Sequence, residues 1–241
     1  MYMKIPIQRA RNGYALITVL FSLAILTVLI GSASRLAINH AMVLKGQAVL
    51  SSRLTLTKSL LYLAVSKRQG QENSSHIRMV FKGSNYTAIF QDVGGLVDLN
   101  TASPDLLSTV LENLGARDPS DIIEKLRAWR RQGYRLLRSE DFARITGLSS
   151  AVMRPLSQIT TVFSGRRGIS PDVAPGTILE ILASETGSPE YLASRIPPTY
   201  ISPASGVNFR VIIQNEDGSM LGSMVIHLPP EFSDIRILSF D

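Results

Sequence analysis

The chain has 241 residues, 45% of them hydrophobic, with 25 Lys and Arg against 19 Asp and Glu and a net charge of +6. That length suits one sizeable domain or two small ones. There is no cysteine, which excludes thiol catalysis, disulfide staples and cysteine-ligated zinc, and His40, His76 and His227 show no metal-ligand spacing.

Lys4, Arg9 and Arg11 are the only charges in residues 1–13, and removing that segment lowers the net charge from +6 to +3. The remaining body is mildly basic, a weak case for a nucleic-acid partner. An apolar run covers residues 14–30, inside a charge-free window of 12–34. As a helix the window would be about 34 Å long against a hydrocarbon core of about 30 Å, enough to span a membrane. An ordinary secretory signal has a shorter apolar region, and here its cut would fall after Ala33 in "GSAS". The basic flank predicts a cytoplasmic N-terminus, with the chain beyond Arg35 across the membrane.

The helical pattern continues through 34–67, which holds no proline and one glycine, Gly46. Leu50, Leu54, Leu61 and Val65 form one stripe, predicted to pack on a soluble domain, while Arg53, Lys58, Lys67 and Arg68 lie mainly off it. "QGQENSS" at 69–75 ends the helix with turn-forming residues.

"IRMVFKG" and "NYTAIFQDV" read as strands. "GGLVDLNTASPDLLSTVLENLG" then reads as a strand and a capped helix, with Ser103 as cap, Pro104 first and Gly115 at the end. "DPSDIIEKLRAWRRQG" repeats this with Asp118, Pro119, Asp121 and Gly133, and "SEDFARITGLSSAVMRPL" begins a third unit with Ser139 as cap. Leu106, Leu107, Val110, Leu111 and Leu114 form one core face, and Ile122, Ile123, Leu126 and Trp129 another. Strands return in "GVNFRVIIQNEDGSMLGSMVIHL" and "DIRILSF", the first with a hairpin turn at 215–218 whose tip is Asp217-Gly218. The predicted fold class is therefore α+β: a long N-terminal helix on a small antiparallel sheet, with an all-helical block inserted between strands.

A basic leader ending in Gly13, an apolar helix that continues as an amphipathic one, and a strand-rich domain resemble type IV pilins and pseudopilins. The resemblance implies cleavage by a prepilin peptidase between Gly13 and Tyr14, with the helix retained as the packing core of a filament. In most pilins the fifth residue after the cut is glutamate, thought to meet the N-terminal ammonium of a neighbouring subunit. Here it is Thr18, and the family member that lacks this acid is the K-type minor pseudopilin at the filament tip. "LVDLNTA…LL…LENLG…II…W" resembles that K type, with Leu99-Asn100-Thr101-Ala102 and Trp129 carrying the match. An echo of the motif falls near "GISPDVAPGTILEILA", where Ser170, Asp172 and Val173 replace the expected polar residues. The implied organisation is a leader at 1–13, a transmembrane helix at 14–34 and its amphipathic continuation at 35–68. A pseudopilin sheet domain follows at 69–99 and 201–241, with an inserted helical domain at 100–200. The implied function is a structural, non-enzymatic subunit at the tip of a type II secretion pseudopilus, in the bacterial inner membrane with its bulk in the periplasm. Its implied partners are other minor pseudopilins, the inner-membrane secretion platform and the peptidase. The family also implies calcium, which needs several carboxylates. Here Trp129 is followed by Arg130, Arg131 and Gln132, and Glu140 and Asp141 suit a helix cap, so no cofactor is expected.

A rival reading comes from "LNTA…L…LG…I…R…G" and "DF..ITGL", which also resemble the helix-hairpin-helix modules of membrane-anchored DNA receptors of competence systems. Arg117, Lys125, Arg127, Arg130, Arg131, Arg135, Arg138 and Arg144 would supply the phosphate field. The hairpin at Gly115-Ala116-Arg117-Asp118 lacks a second glycine, and nearby acids dilute the charge, so no nucleic acid is expected. Enzyme signatures are missing: no nucleophile elbow occurs, and neither "GSASRLA" nor "FSGRRG" has the phosphate-loop lysine and spacing. Arg166-Arg167 reads as an exposed, cleavable turn.

Overall fold

A computed structural model describes residues 10–69, 74–229 and 234–240. Residues 1–9 of the predicted leader and 70–73 of the predicted turn lie outside them. Two compact units are present, residues 1–56 and 57–241.

Helix α1 (Ala10–Arg68) runs unbroken for 59 residues, as the lack of proline predicts. In the first unit its described side chains are exposed from Leu16 to Leu54, including Leu50 and Leu54 of the predicted packing stripe. Only the stripe's later members, Leu61 and Val65, are buried, because the second unit begins at Thr57. Among the described residues no helix is long and apolar enough to cross a membrane. The side chains of 14, 15, 33 and 34, which belong to the predicted span, lie outside that description.

The second unit is built on an antiparallel sheet of β1 (His76–Phe81), β2 (Ser84–Asp92), β5 (Asn208–Asn215), β6 (Met220–His227) and β7 (Arg236–Phe240), in that spatial order. Lys82 and Gly83 join β1 to β2 with φ of 51° and 81°, the left-handed pair that a two-residue hairpin favours. The predicted turn between β5 and β6 is present, with Gly218 at φ 79°. Alternation places Ala88, Phe90, Val211, Ile213 and Met224 in the core with Leu60, Leu61, Ala64 and Val65 of α1. Gly222 keeps this contact close, since a Cβ there would lie 3.1 Å from Thr57 Cγ2. The Arg68 guanidinium fills the end of the contact, 4.4 Å from the Phe90 ring centre and 4.3 Å from that of Phe209.

β2 and β5 are neighbours, with Asp92 opposite Phe209, yet residues 93–207 lie between them in sequence. That segment contains α2 (Pro104–Asn113), α3 (Pro119–Arg131), α4 (Ser139–Thr146), α5 (Ser150–Ile159), α6 (Gly176–Ala183) and α7 (Pro189–Arg195). They enclose a core of their own, including Leu106, Leu111, Leu126, Phe142, Leu156 and Ile178. The protein is thus α+β with a helical insertion between adjacent strands. One short parallel pair joins the helices: β3 (Val97–Asp98) lies against β4 (Thr160–Thr161), not against the large sheet.

Two glycines set the insertion's first contact with its returning chain. A Cβ on Gly94 would meet Ser205 N, and one on Gly95 would meet the Val173 carbonyl oxygen and come 2.7 Å from Ala174 Cα. These neighbours are backbone and cannot rotate away. Gly95→Ala is therefore expected to destabilise the protein by about 1–3 kcal/mol, the cost of overpacking, measured as a lowered urea midpoint. Gly83→Ala, in the exposed hairpin turn, costs only the strain of a positive φ.

Candidate functional site

The predicted processing residues Gly13 and Tyr14 fall in the backbone of α1, their side chains outside the described residues. Thr18 is exposed one turn further on.

The "LNTA" motif is the polar centre of the insertion. Asp98 is fully buried, and its carboxylate accepts from Asn100 N at 2.7 Å, Thr101 N at 3.1 Å, Gly165 N at 2.7 Å and Ser164 Oγ at 3.1 Å. Two of these donors follow Asp98 in the chain and two belong to the loop after β4, so one carboxylate fastens two segments. Asn100 reaches in a third direction. Its Oδ1 accepts from Leu136 N at 2.8 Å, and its Nδ2 donates to the Leu136 carbonyl at 2.9 Å, clasping the loop after α3. Thr101 Oγ1 donates to the Arg166 carbonyl at 2.6 Å, and Ser103 N to that of Arg167 at 2.9 Å. Arg166-Arg167 is thus fastened through its backbone, contrary to the cleavable turn expected from sequence.

Arg130, placed by the sequence in a phosphate field, turns inward. Its Nη2 donates to the Leu99 carbonyl at 2.6 Å. Burial lowers its pKa from the ordinary arginine value, and the nearby Asp98 charge opposes that shift. Sequence reasoning missed Asp98 and Asp92, the polar anchors of the fold. The available signals were local: Asp followed by glycines at 92–95, and Asp-x-Asn-Thr at 98–101, both turn-forming patterns.

The helix ends follow the predicted grammar with one change. Ser103 accepts from Leu106 N, and Asp118 from Asp121 N, each capping its helix. At α4 the cap residue is Arg138, not Ser139: Asp141 reaches back to accept from Arg138 N at 3.2 Å. Asp141 also pairs with Arg144 at 3.4 Å. The residues do not fit a calcium ion, since Glu140 is exposed, Asp141 is held by its helix, and arginines follow Trp129. Among the described residues no group of three or more His, Asp or Glu is placed to hold a metal.

The turns after α2 and α4 line one concavity of about 650 Å³, which includes Gly115, Arg117, Lys125, Gly147 and Ser149. Both glycines are left-handed, at φ 72° and 74°. Amides that a hairpin module would offer to phosphate are used internally, however. Gly115 N donates to Glu112, Ala116 N to Leu111, and Gly147 N to Ala143. Lys125 pairs with Asp121, and Arg127 and Arg131 share Glu124.

No family model matches the sequence, and no curated protein matches it. Among solved structures, the chain is similar to a chain of the GspK-GspI-GspJ complex from the type 2 secretion system of enterotoxigenic Escherichia coli. The TM-score is 0.55 and the identity 12%, over 82% of this chain and 98% of that one. The fold is minor-pseudopilin-like. Most of this chain thus shares its fold with a component of a secretion-system complex.

Asp98→Ala leaves four donors facing a buried void. It is expected to cost about 3–5 kcal/mol, the range for breaking a buried charged network. A thermal melt in detergent checks this, with the exposed Asp234→Ala as a near-silent control.

Proposed function

We propose that this protein is a structural minor pseudopilin at the tip of a type II secretion pseudopilus, where it initiates filament assembly for protein export. The observation that carries this reading is the fold shared with a component of a type 2 secretion system complex, over 82% of this chain and 98% of that one. An insertion-split sheet following a long helix is in keeping with it. The exposed apolar residues of α1, from Leu16 to Leu54, support it. Segment 16–30 of that helix is apolar on all sides and needs lipid or other helices around it. In this reading, prepilin peptidase cuts after Gly13 and methylation follows at Tyr14. The segment 14–34 then anchors the chain in the bacterial inner membrane, with residues beyond it in the periplasm. Other minor pseudopilins and the inner-membrane platform are its partners. Its role is scaffolding and not catalysis, in keeping with polar clusters whose members are bound to backbone groups.

Thr18 supports the tip position. A carboxylate at that place would help a subunit that has a neighbour's ammonium above it. At the top of the filament it would be an unpaired charge in lipid, costing about 2.5–3.5 kcal/mol.

Two experiments test the proposal. Mass spectrometry of protein purified from membranes is expected to show a mature N-terminus at Tyr14, and Gly13→Trp to retain the leader. A mature end at Ser34 would establish a secretory signal and remove the pilin reading. Separately, Thr18→Glu is expected to reduce membrane insertion and leave filament initiation no better, in cells lacking the native copy. Longer or more numerous filaments with Thr18→Glu would make this an interior subunit.

A further inference from the structure

The loop between α3 and α4, residues 132–138, presents an unusual surface. Leu137 is 74% exposed and Tyr134 53%. These side chains do not hang on a loose loop. Leu136 between them is buried and clasped on both its N–H and its carbonyl by Asn100. The Tyr134 ring lies 4.7 Å from that of Trp129. The backbone is fixed, and two apolar side chains are held outward.

Charge surrounds them. Residues 127–144 contain six arginines against two acids, Glu140 and Asp141. Arg130 is turned inward, and Arg144 shares Asp141. Arg131 shares Glu124 with Arg127, yet the Arg131 side chain remains 71% exposed. Arg135 and Arg138 are exposed on the loop itself. A fixed pair of apolar side chains rimmed by arginines complements an anionic layer with an apolar interior. A loop of seven residues is small for a stable protein interface, which takes about 20–30 residues from each partner. A bilayer surface sets no such area requirement: aromatic and aliphatic side chains enter the headgroup layer, and arginines stay at phosphate level.

We propose that the loop 132–138 is a docking surface for an anionic lipid bilayer, with Tyr134 and Leu137 entering the headgroup layer and Arg131, Arg135 and Arg138 facing lipid phosphates. The contact is peripheral and weakens with salt, each arginine contributing roughly a fivefold gain in binding. It does not depend on the pseudopilin reading, since it rests on the insertion alone.

The test uses the full chain held in phosphatidylcholine nanodiscs, so that the apolar part of α1 is covered. Two vesicle probes are added and floated: phosphatidylcholine alone, and phosphatidylcholine with an equal part of phosphatidylglycerol. With three arginines the binding constant is expected to be on the order of a hundredfold greater on the anionic vesicles at low salt, read as a large excess in flotation. It falls to the neutral-vesicle level in Leu137→Asp and in Arg135→Glu/Arg138→Glu. Lys82→Glu, on the exposed β1–β2 turn, floats as the parent does. The altered side chains are all exposed, so the variants keep the parent's melting temperature. The chain's one tryptophan, Trp129 beside Tyr134, reports the contact through an emission shift with anionic vesicles that Leu137→Asp abolishes. Equal flotation on both vesicle types, no flotation, or variants that float like the parent would overturn the proposal. Binding of soluble polyglutamate without binding to anionic vesicles would also overturn it, in favour of an acidic protein partner.

Discussion

Asp92 closes the sheet over its own interruption. The carboxylate at the end of β2 accepts from Gly94 N at 2.6 Å, Ser205 N at 3.0 Å and Gly206 N at 2.7 Å. Gly94 begins the insertion, and Ser205 and Gly206 end it. Closing a loop this long is entropically modest in cost, because the cost grows only with the logarithm of length. Local geometry is the harder requirement. The chain must leave β2 and return to β5 within one strand spacing, and a side chain there would block it. The two glycines clear that space, and Asp92 supplies the anion on which three amides converge. Gln91 adds a donor to the Val173 carbonyl at 2.6 Å, drawing the far side of the insertion to the same point. Arg210 of β5 completes the seam, donating to the Gln158 carbonyl at 3.0 Å where α5 ends, the negative end of a helix dipole. With the ends fixed, the insertion packs around its own core without disturbing the strand register.

Arg68 ties that seam to the long helix. At the end of α1, it lies between Phe90 near the end of β2 and Phe209 near the start of β5, with the Asp92 charge nearby. Burial lowers its pKa, and Asp92 works against that shift. An arginine suits this place better than a lysine, since a planar guanidinium can stack on two rings while keeping its charge. Arg68, a basic residue off the predicted packing stripe, thus joins the helix to the two strands that flank the insertion.

Features set by near neighbours in the chain were legible in the sequence. The Asp217-Gly218 turn, the caps Ser103 and Asp118 with their following prolines, and the alternating strands depend on residues a few positions apart, and they appear where predicted. Legibility failed where distant segments decide. Leu50 and Leu54 carry the same periodicity as Leu61 and Val65, but only the latter meet a sheet. Arg130 and Arg131 are adjacent and chemically identical, yet one binds the Leu99 carbonyl and the other lies at the surface with Glu124. Helical phase separates them, since Arg130 lies four residues after Leu126 and seven after Ile123 on the buried face, and Arg131 seven after Glu124 on the exposed one. The carbonyl that Arg130 meets, however, belongs to a distant segment. Asp92 and Asp98 look like ordinary turn residues, because their partners lie as far as 114 and 67 positions away.

The same distinction bears on what the insertion is for. Its helices and glycine turns resemble modules that hold phosphate by converging backbone amides, and converging amides do occur here. They converge on Asp98 and Asp92, each supplied by the chain itself, while the turn amides of Gly115 and Gly147 go to helix carbonyls. An amide cluster filled by a covalently attached carboxylate carries no translational cost of binding, so an external anion competes for it at a large disadvantage. The amides of Gly115, Ala116 and Gly147, which a phosphate-holding hairpin would need free, are spent on helix carbonyls. A rigid block remains, seated at the seam of the sheet, with Arg135 and Arg138 exposed on one of its loops.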